Sequence, residues 1–171
     1  MSSCDRSFDR RSLLRLLATA PMAAGVSACG FTPAYGPGGG ASKLTGRVAV
    51  SAPTTRETYL MTRQLEERLG RTSAPAYQLS YTLELEEERI AITSDNITRR
   101  FNLIGKASYR LTDLTGNELA KGQVESFTGY SATGTTVATR AARWDAEERL
   151  ATILSDDIVT RLIAVAATLP A

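Results

Sequence analysis

The sequence predicts an α+β domain: a two-layer sandwich with an about four-stranded, mostly antiparallel sheet and two helices on one face, in the order β-α-β-β-β-α. Three observations carry this expectation. Tyr77, Leu79, Tyr81, Leu83 and Leu85 alternate strictly with Gln78, Ser80, Thr82, Glu84 and Glu86, the period of a strand with one dry face. The same odd-numbered phase returns in Ile97, Phe101, Leu103, Ala107, Tyr109 and Leu111 after the turn-forming Ser94-Asp95-Asn96, as in a hairpin. Two further stretches, Thr54 to Leu69 and the chain beyond Thr135, carry apolar residues at helical spacing.

Taken in order, Val48 and Val50 alternate in a short first strand that Pro53 ends. Thr54 with Glu57 fits a capping box, in which hydroxyl and carboxylate satisfy free N–H groups at a helix start. Met61, Leu65 and Leu69 then share one stripe, Arg63, Glu66, Glu67 and Arg68 take the wet side, and Gly70 is placed to stop the helix. In the second strand the apolar phase slips past Glu86 to Ile90 and Ile92, so a bulge is expected near Glu87-Glu88. Thr115-Gly116-Asn117 turns the chain again, and a weaker fourth strand is expected from Glu118 to Phe127, with a small-residue loop from Gly129 to Gly134. The last helix, from about Thr135, aligns Val137, Ala141, Trp144, Ala151, Leu154, Ile158, Leu162 and Val165. Arg143–Glu147 and Asp157–Arg161 stand at i,i+4 spacing on it. Trp144 has two readings: a core side chain on that stripe, or a docking patch with Arg140 and Arg143.

The N-terminal segment reads differently. Arg6, Arg10, Arg11 and Arg15 precede a weakly apolar run, Leu16 to Val26, too short to cross a bilayer. Small residues then lead directly into a cysteine, Val26-Ser27-Ala28-Cys29. This resembles a bacterial lipobox, where the thiol is alkylated with diacylglycerol, a peptidase cuts before it and the new amine is acylated; the other reading of Cys29 is an ordinary core cysteine. Several acyl chains on one residue hold a membrane far more firmly than one. The expected organisation is a signal peptide over 1–28, a lipidated Cys29 with a flexible tether over 29–43, and a folded domain over 44–168. Gly36-Pro37-Gly38-Gly39-Gly40 is the spacer, and Phe31 and Tyr35 within the tether suit a bilayer interface or a partner. Asp9-Arg10-Arg11-Ser12-Leu13-Leu14-Arg15 also resembles a twin-arginine export signal, the other reading being a plain basic n-region.

Composition narrows the function classes. The 171 residues hold 20 Lys+Arg and 18 Asp+Glu, and removal of residues 1–28 leaves 16 of each sign. No global basic field remains to attract nucleic acid. There are 2 Cys, Cys4 and Cys29, and 0 His, so the domain lacks a thiol, the commonest metal ligand and the commonest general base. No catalytic residue, cofactor or metal site is expected. The acidic run Glu84 to Glu88 lies on a strand, whereas hard cations want loops that wrap oxygens around the ion.

The element order, behind the lipobox and the start Cys29-Gly30-Phe31-Thr32-Pro33-Ala34-Tyr35, resembles the LPS-assembly lipoprotein family LptE in its alphaproteobacterial form. The resemblance runs from the lipobox to the last helix. It implies an outer-membrane lipoprotein, held by its lipid anchor, that plugs and assists assembly of a large β-barrel, LptD, and delivers lipopolysaccharide to the outer leaflet. Gly30, where an Asp would signal inner-membrane retention, agrees with outer-membrane sorting. A plug meets a polar lumen, and the wet face here carries Ser80, Thr82, Glu84, Thr98, Asn102, Ser108 and Thr112. Lipid A phosphates call for Arg or Lys, so Arg99, Arg100, Lys106 and Arg110 are the expected lipopolysaccharide ligands, with Lys121 a further candidate. The other reading pairs these cations across the sheet with Glu84, Glu86 or Glu88. A second function class is an auxiliary periplasmic lipoprotein of an ABC-type lipid transport system, and a third is a carboxylate-dependent hydrolase.

Overall fold

Strand and helix periods resolve into seven elements in the computed structural model, which describes residues 33–36, 39–92 and 98–169. The signal segment, Cys29, Phe31 and the Ser94-Asp95-Asn96 turn lie outside the described residues. The elements are α1 (Gly40–Leu44), β1 (Val48–Val50), α2 (Arg56–Leu69), β2 (Tyr77–Ile92), β3 (Thr98–Asp113), β4 (Glu118–Ser131) and α3 (Thr136–Val165), followed by a 3-10 turn at Ala166–Thr168. The strands make one sheet in the order β1-β2-β3-β4. β1 runs parallel to β2 over Val48↔Tyr77 to Val50↔Leu79, and the other neighbours are antiparallel. The α+β class and the element order are those the sequence predicts, with one short helix added in front.

That added helix begins inside the stretch expected to be tether. Ala41 and Leu44 are buried, and the Lys43 ammonium donates to the Leu169 carbonyl at 2.8 Å, so two apolar contacts and one hydrogen bond tie the segment to the C-terminal turn. The α2 cap sits one residue later than expected. The Thr55 hydroxyl accepts from Thr58 N–H at 3.2 Å and the Thr58 hydroxyl accepts from Thr55 N–H at 2.8 Å. Gly70, at φ 79°, ends the helix as expected.

The core lies between the sheet and the helices. Leu79, Leu103, Ala107 and Leu111 on β2 and β3, with Val124 on β4, meet Met61 and Leu65 of α2 and Leu150, Leu154, Ile158 and Leu162 of α3. Each fully buried aliphatic side chain is worth about 1.5–3 kcal/mol. Gly105 sets how close α3 comes to the sheet: a Cβ there would stand 2.9 Å from a Leu154 methyl and 3.0 Å from a Leu150 methyl. Gly122 plays the same part for the Tyr109 ring, whose hydroxyl would be 2.7 Å from an added Cβ.

Burial fades along the hairpin. Tyr77 and Leu79 are buried, Tyr81 and Leu83 half-buried, and Leu85 is 38 % exposed. Gly105 and Leu103, which stand opposite Leu85 and Glu87, stay buried, so at this level the helix layer covers β3 and leaves the edge strand β2 open. The bulge is also further along than expected: pairing stays regular through Arg89↔Phe101 and breaks between Arg89 and Ala91. Glu87 keeps its place on the helix side because its carboxylate accepts from the Tyr130 hydroxyl at 2.9 Å. β4 continues to Ser131, past its expected end at Phe127, since Thr128 bonds the Ala146 carbonyl at 3.0 Å and Tyr130 stacks on Phe101 at 5.2 Å.

Two predictions follow from this packing. Gly105→Val forces two core leucines off their positions and should cost about 1–3 kcal/mol; an unchanged urea midpoint would mean that α3 does not seat there. At the β3–β4 turn, Asp113 accepts from the Thr115 hydroxyl at 2.7 Å, the Asn117 side-chain amide at 2.8 Å and the Thr115 and Asn117 N–H groups at 2.9 Å each. Hydrogen bonds from Thr115 and Asn117, foremost from their side chains, lower its pKa to about 2. A depressed carboxylate stabilises the fold above its unfolded pKa of about 3.9 and loses that contribution as pH falls toward the folded value. Urea midpoints of wild type and Asp113→Asn should therefore converge between about pH 4 and pH 2; curves that stay parallel there would contradict this account.

Candidate functional site

The sheet has a second face that no helix covers among the described residues. Strand alternation sends even-numbered residues of β2 and β3 and odd-numbered residues of β4 to it, and the register groups them in rows across the three strands. From the base of the hairpin outward the rows are Ser80–Arg110–Lys121, Thr82–Ser108–Gln123, Glu84–Lys106–Glu125, Glu86–Ile104–Phe127 and Glu88–Asn102–Gly129, with Arg100–Ser131 beyond. The face is thus rich in hydroxyls and mixed in charge. An open concavity of about 560 Å³ lies over the first two rows, lined by Ser80, Thr82, Ser108, Arg110, Lys121 and Gln123.

The cations on this face are not equivalent. Arg110 Nη1 lies 2.5 Å from one Glu118 oxygen and Lys121 Nζ lies 2.8 Å from the other. The Lys121 hydrogen bond, assisted by the Arg110 charge, holds the Glu118 carboxyl below its usual range. Lys106 reaches Glu125 only at 4.0 Å. Cross-sheet pairing therefore occurs, but with carboxylates of β4, while Glu84, Glu86 and Glu88 of β2 have no ion-pair partner among the described residues. Arg99 and Arg100 are exposed and likewise have no ion-pair partner among the described residues.

The four expected ligand residues do not converge. At ~3.4 Å per residue, Arg100 stands roughly 20 Å from Lys106 and roughly 34 Å from Arg110 along β3. Arg99 and Arg100, adjacent on one strand, leave it on opposite faces. Arg100 bends over the notch at Gly129, its Nε 3.9 Å from where a Cβ would be, beside the Asn102 side chain. The structure thus separates a paired basic site at the base of the bare face from two arginines at the hairpin end that have no ion-pair partner among the described residues.

Two features escaped sequence reading. Phe127, 63 % exposed, stands with Ile104 as an apolar island on the polar face; its phase on β4 is the only signal in the sequence. On the helix side, the expected Arg143–Glu147 pair, at 3.3 Å, belongs to a wider network that the sequence did not show: Glu147 is buried and also ion-pairs with Arg56, and Arg143 lies 3.5 Å from Glu87. Burial, then the bond to Glu87, pushes the Tyr130 phenol up to about 12. This network ties α2, α3 and the hairpin together.

Trp144 is not a core residue, although it falls on the apolar stripe of α3. It is 47 % exposed, Val137 is 74 % exposed and Ala141 is exposed as well, and burial along α3 starts only at Ala146. The Arg56 guanidinium lies over its ring, 5.1 Å from the centroid. Of the two expected i,i+4 pairs, Arg143–Glu147 forms and Asp157–Arg161 does not. Tyr35, the described aromatic of the tether, is 71 % exposed. Among the described residues no group of three or more His, Cys, Asp or Glu could hold a metal ion, and no helix is long and apolar enough to cross a membrane.

Comparison with known proteins adds to this geometry. The family model described as LptE, lipopolysaccharide-assembly, matches residues 45–162. Among solved structures, a Caulobacter crescentus chain assigned to the lipoproteins is 30 % identical, with a TM-score of 0.62, covering 77 % of this chain and 98 % of that one. The rare lipoprotein B of Shewanella oneidensis shares the fold at 16 % identity, TM-score 0.55, over 71 % of this chain and 96 % of its own. A minor lipoprotein of Acinetobacter baumannii does so at 12 % identity, TM-score 0.52, over 72 % and 94 %. No curated protein matches the chain. With a bare sheet face, one helix layer and a family model that spans nearly the whole folded domain, the chain belongs to the LptE family of lipopolysaccharide-assembly lipoproteins.

Proposed function

We propose that this chain is an outer-membrane lipoprotein, anchored through Cys29, whose domain plugs the lumen of the LptD β-barrel, assists its assembly and helps pass lipopolysaccharide to the outer leaflet. The observation that carries this reading is the bare face of the sheet. A surface of hydroxyls, amides and interleaved charges suits the polar interior of a large barrel, and it would be an odd surface to turn toward lipid. The work needs no bond to be made or broken. Recognition suffices, which fits a chain without histidine.

Within this reading Arg99 and Arg100 are the first ligands for the lipid A phosphates, because neither has an ion-pair partner among the described residues. Lys106 and Arg110 are the secondary ones, since Arg110 must leave Glu118 and Lys106 must leave Glu125.

Detergent extraction of the lipidated protein from native membranes, with co-purifying proteins identified by mass spectrometry, should recover a large outer-membrane β-barrel in about equal amount. Recovery of an inner-membrane ABC complex instead would move the protein to a lipid transport system of that class. In a lipopolysaccharide-displacement assay, Arg99→Ala/Arg100→Ala should weaken binding by about tenfold, the loss of one to two charge-assisted hydrogen bonds, with Arg110→Ala closer to wild type. Equal binding by the double variant and wild type would remove the hairpin end from the ligand site.

A further inference from the structure

The free edge of β2 has the backbone, the groove and the charge pattern of a strand acceptor. β1 pairs with β2 only over Tyr77–Leu79. On that side the pairing opens with Tyr77 N–H to the Arg47 carbonyl at 3.1 Å and closes with Ser51 N–H to the Leu79 carbonyl at 2.9 Å. A residue in a strand points its N–H and C=O to the same side and its neighbours point to the other. Tyr81, Leu83, Leu85 and Glu87 therefore aim their backbone groups at this edge, and no described residue takes them. The stretch is as long as an ordinary strand and ends at the bulge by Ile90. Pro53 turns the chain's own first strand away before it could continue.

A groove of about 520 Å³ runs beside the edge, lined by Thr54, Thr55, Glu57 and Thr58 of the α2 start, by Tyr81, Leu83 and Leu85 of β2, and by Arg143, whose charge is already engaged by Glu147 and Glu87. Natural proteins blunt a free edge with lysine, proline, other charges or cover; Tyr81 to Glu87 holds no lysine or proline, and its charges are all acidic, Glu84, Glu86 and Glu87. The opposite edge, β4, is better protected: Arg149 of α3 donates to the Gly129 carbonyl at 3.2 Å.

We infer that this edge accepts an extended segment of a partner protein in which basic and apolar residues alternate. Side chains of an added strand fall beside those of β2 on both faces. On one face they meet Leu83 and Leu85. On the other they meet Glu84, Glu86 and Glu88, three carboxylates that have no ion-pair partner among the described residues. A second copy is the wrong occupant, because its β2 edge sets Glu84, Glu86 and Glu88 against their own equivalents and its β4 edge brings Glu125 toward them. The inference does not depend on the barrel or on lipopolysaccharide, so it stands or falls apart from the proposed function.

A fluorescein-labelled peptide of about seven residues, lysine alternating with valine, tests it against the full-length chain in detergent by fluorescence anisotropy. Backbone pairing gives such additions their affinity, so the fully N-methylated peptide should bind about tenfold or more weakly, and amide hydrogen exchange at Leu83, Leu85 and Glu87 should slow by about tenfold or more on binding. Glu84→Gln/Glu86→Gln/Glu88→Gln should weaken binding to a similar degree while leaving the thermal midpoint in place. Leu85→Pro removes only an unpaired N–H and should abolish binding in a chain whose circular dichroism is that of wild type. No binding, equal binding of the N-methylated peptide, or unchanged exchange at the three amides would overturn the inference.

Discussion

The close approach of α3 to β3 at Gly105 is the contact on which the architecture rests. Only a hydrogen at that position lets Leu150 and Leu154 pack on the sheet. Once they do, alternation leaves no freedom: odd residues of β2 and β3 turn inward, and even residues form a bare face. Helix α2 then lies against α3, joined by ion pairs from Arg56 to Glu147, Arg63 to Glu148 and Arg68 to Asp156. Two of these are exposed on both sides and steer the helix angle more than they stabilise the fold. Glu147 is the exception, since it is buried and a lost partner there would leave a charge out of water.

The same contact fixes what is left uncovered. α3 covers β3 and β4 up to about Leu103 and leaves the β2 edge open, so Leu85 reaches solvent, and further along the hairpin Arg89 and Ile90 do so together with Arg99 and Arg100. The polar network of Arg143, Glu87 and Tyr130 sits where the hydrophobic core ends. It closes that end with hydrogen bonds where apolar contacts run out. In the proposed role as a plug, this division gives the chain a dry interior of its own and a wet, charged exterior for the barrel to enclose.

The strands were the most legible part of the sequence, because a sheet buried on one face writes its register in period two. β2 and β3 show this through Leu79 and Leu111. Where sequence reading slipped, a local contact had overruled a pattern. Two adjacent threonines each had a partner three residues on, and the Thr58 hydroxyl won over Glu57 by bonding back to Thr55. The phase slip after Glu86 signalled a bulge, but the Tyr130 bond to Glu87 holds the strand regular until Arg89. The glycines and small residues around Gly129 look like loop, yet pair as strand. Helical spacing placed Trp144 on a stripe and said nothing of where along that stripe burial begins, which is at Ala146. The basic residues were visible as types, and their separation into a paired and an unpaired group was not, since it depends on β4 carboxylates brought across by the register.

The account's central claim is that the bare face of the sheet is the surface that meets the barrel. Photo-crosslinking in living cells tests it directly, with a photoreactive residue placed in turn at Thr82, Ser108 and Gln123, which form one row across that face. The account predicts a product of barrel size from all three positions. Free monomer from all three, or products only with inner-membrane proteins, would contradict it.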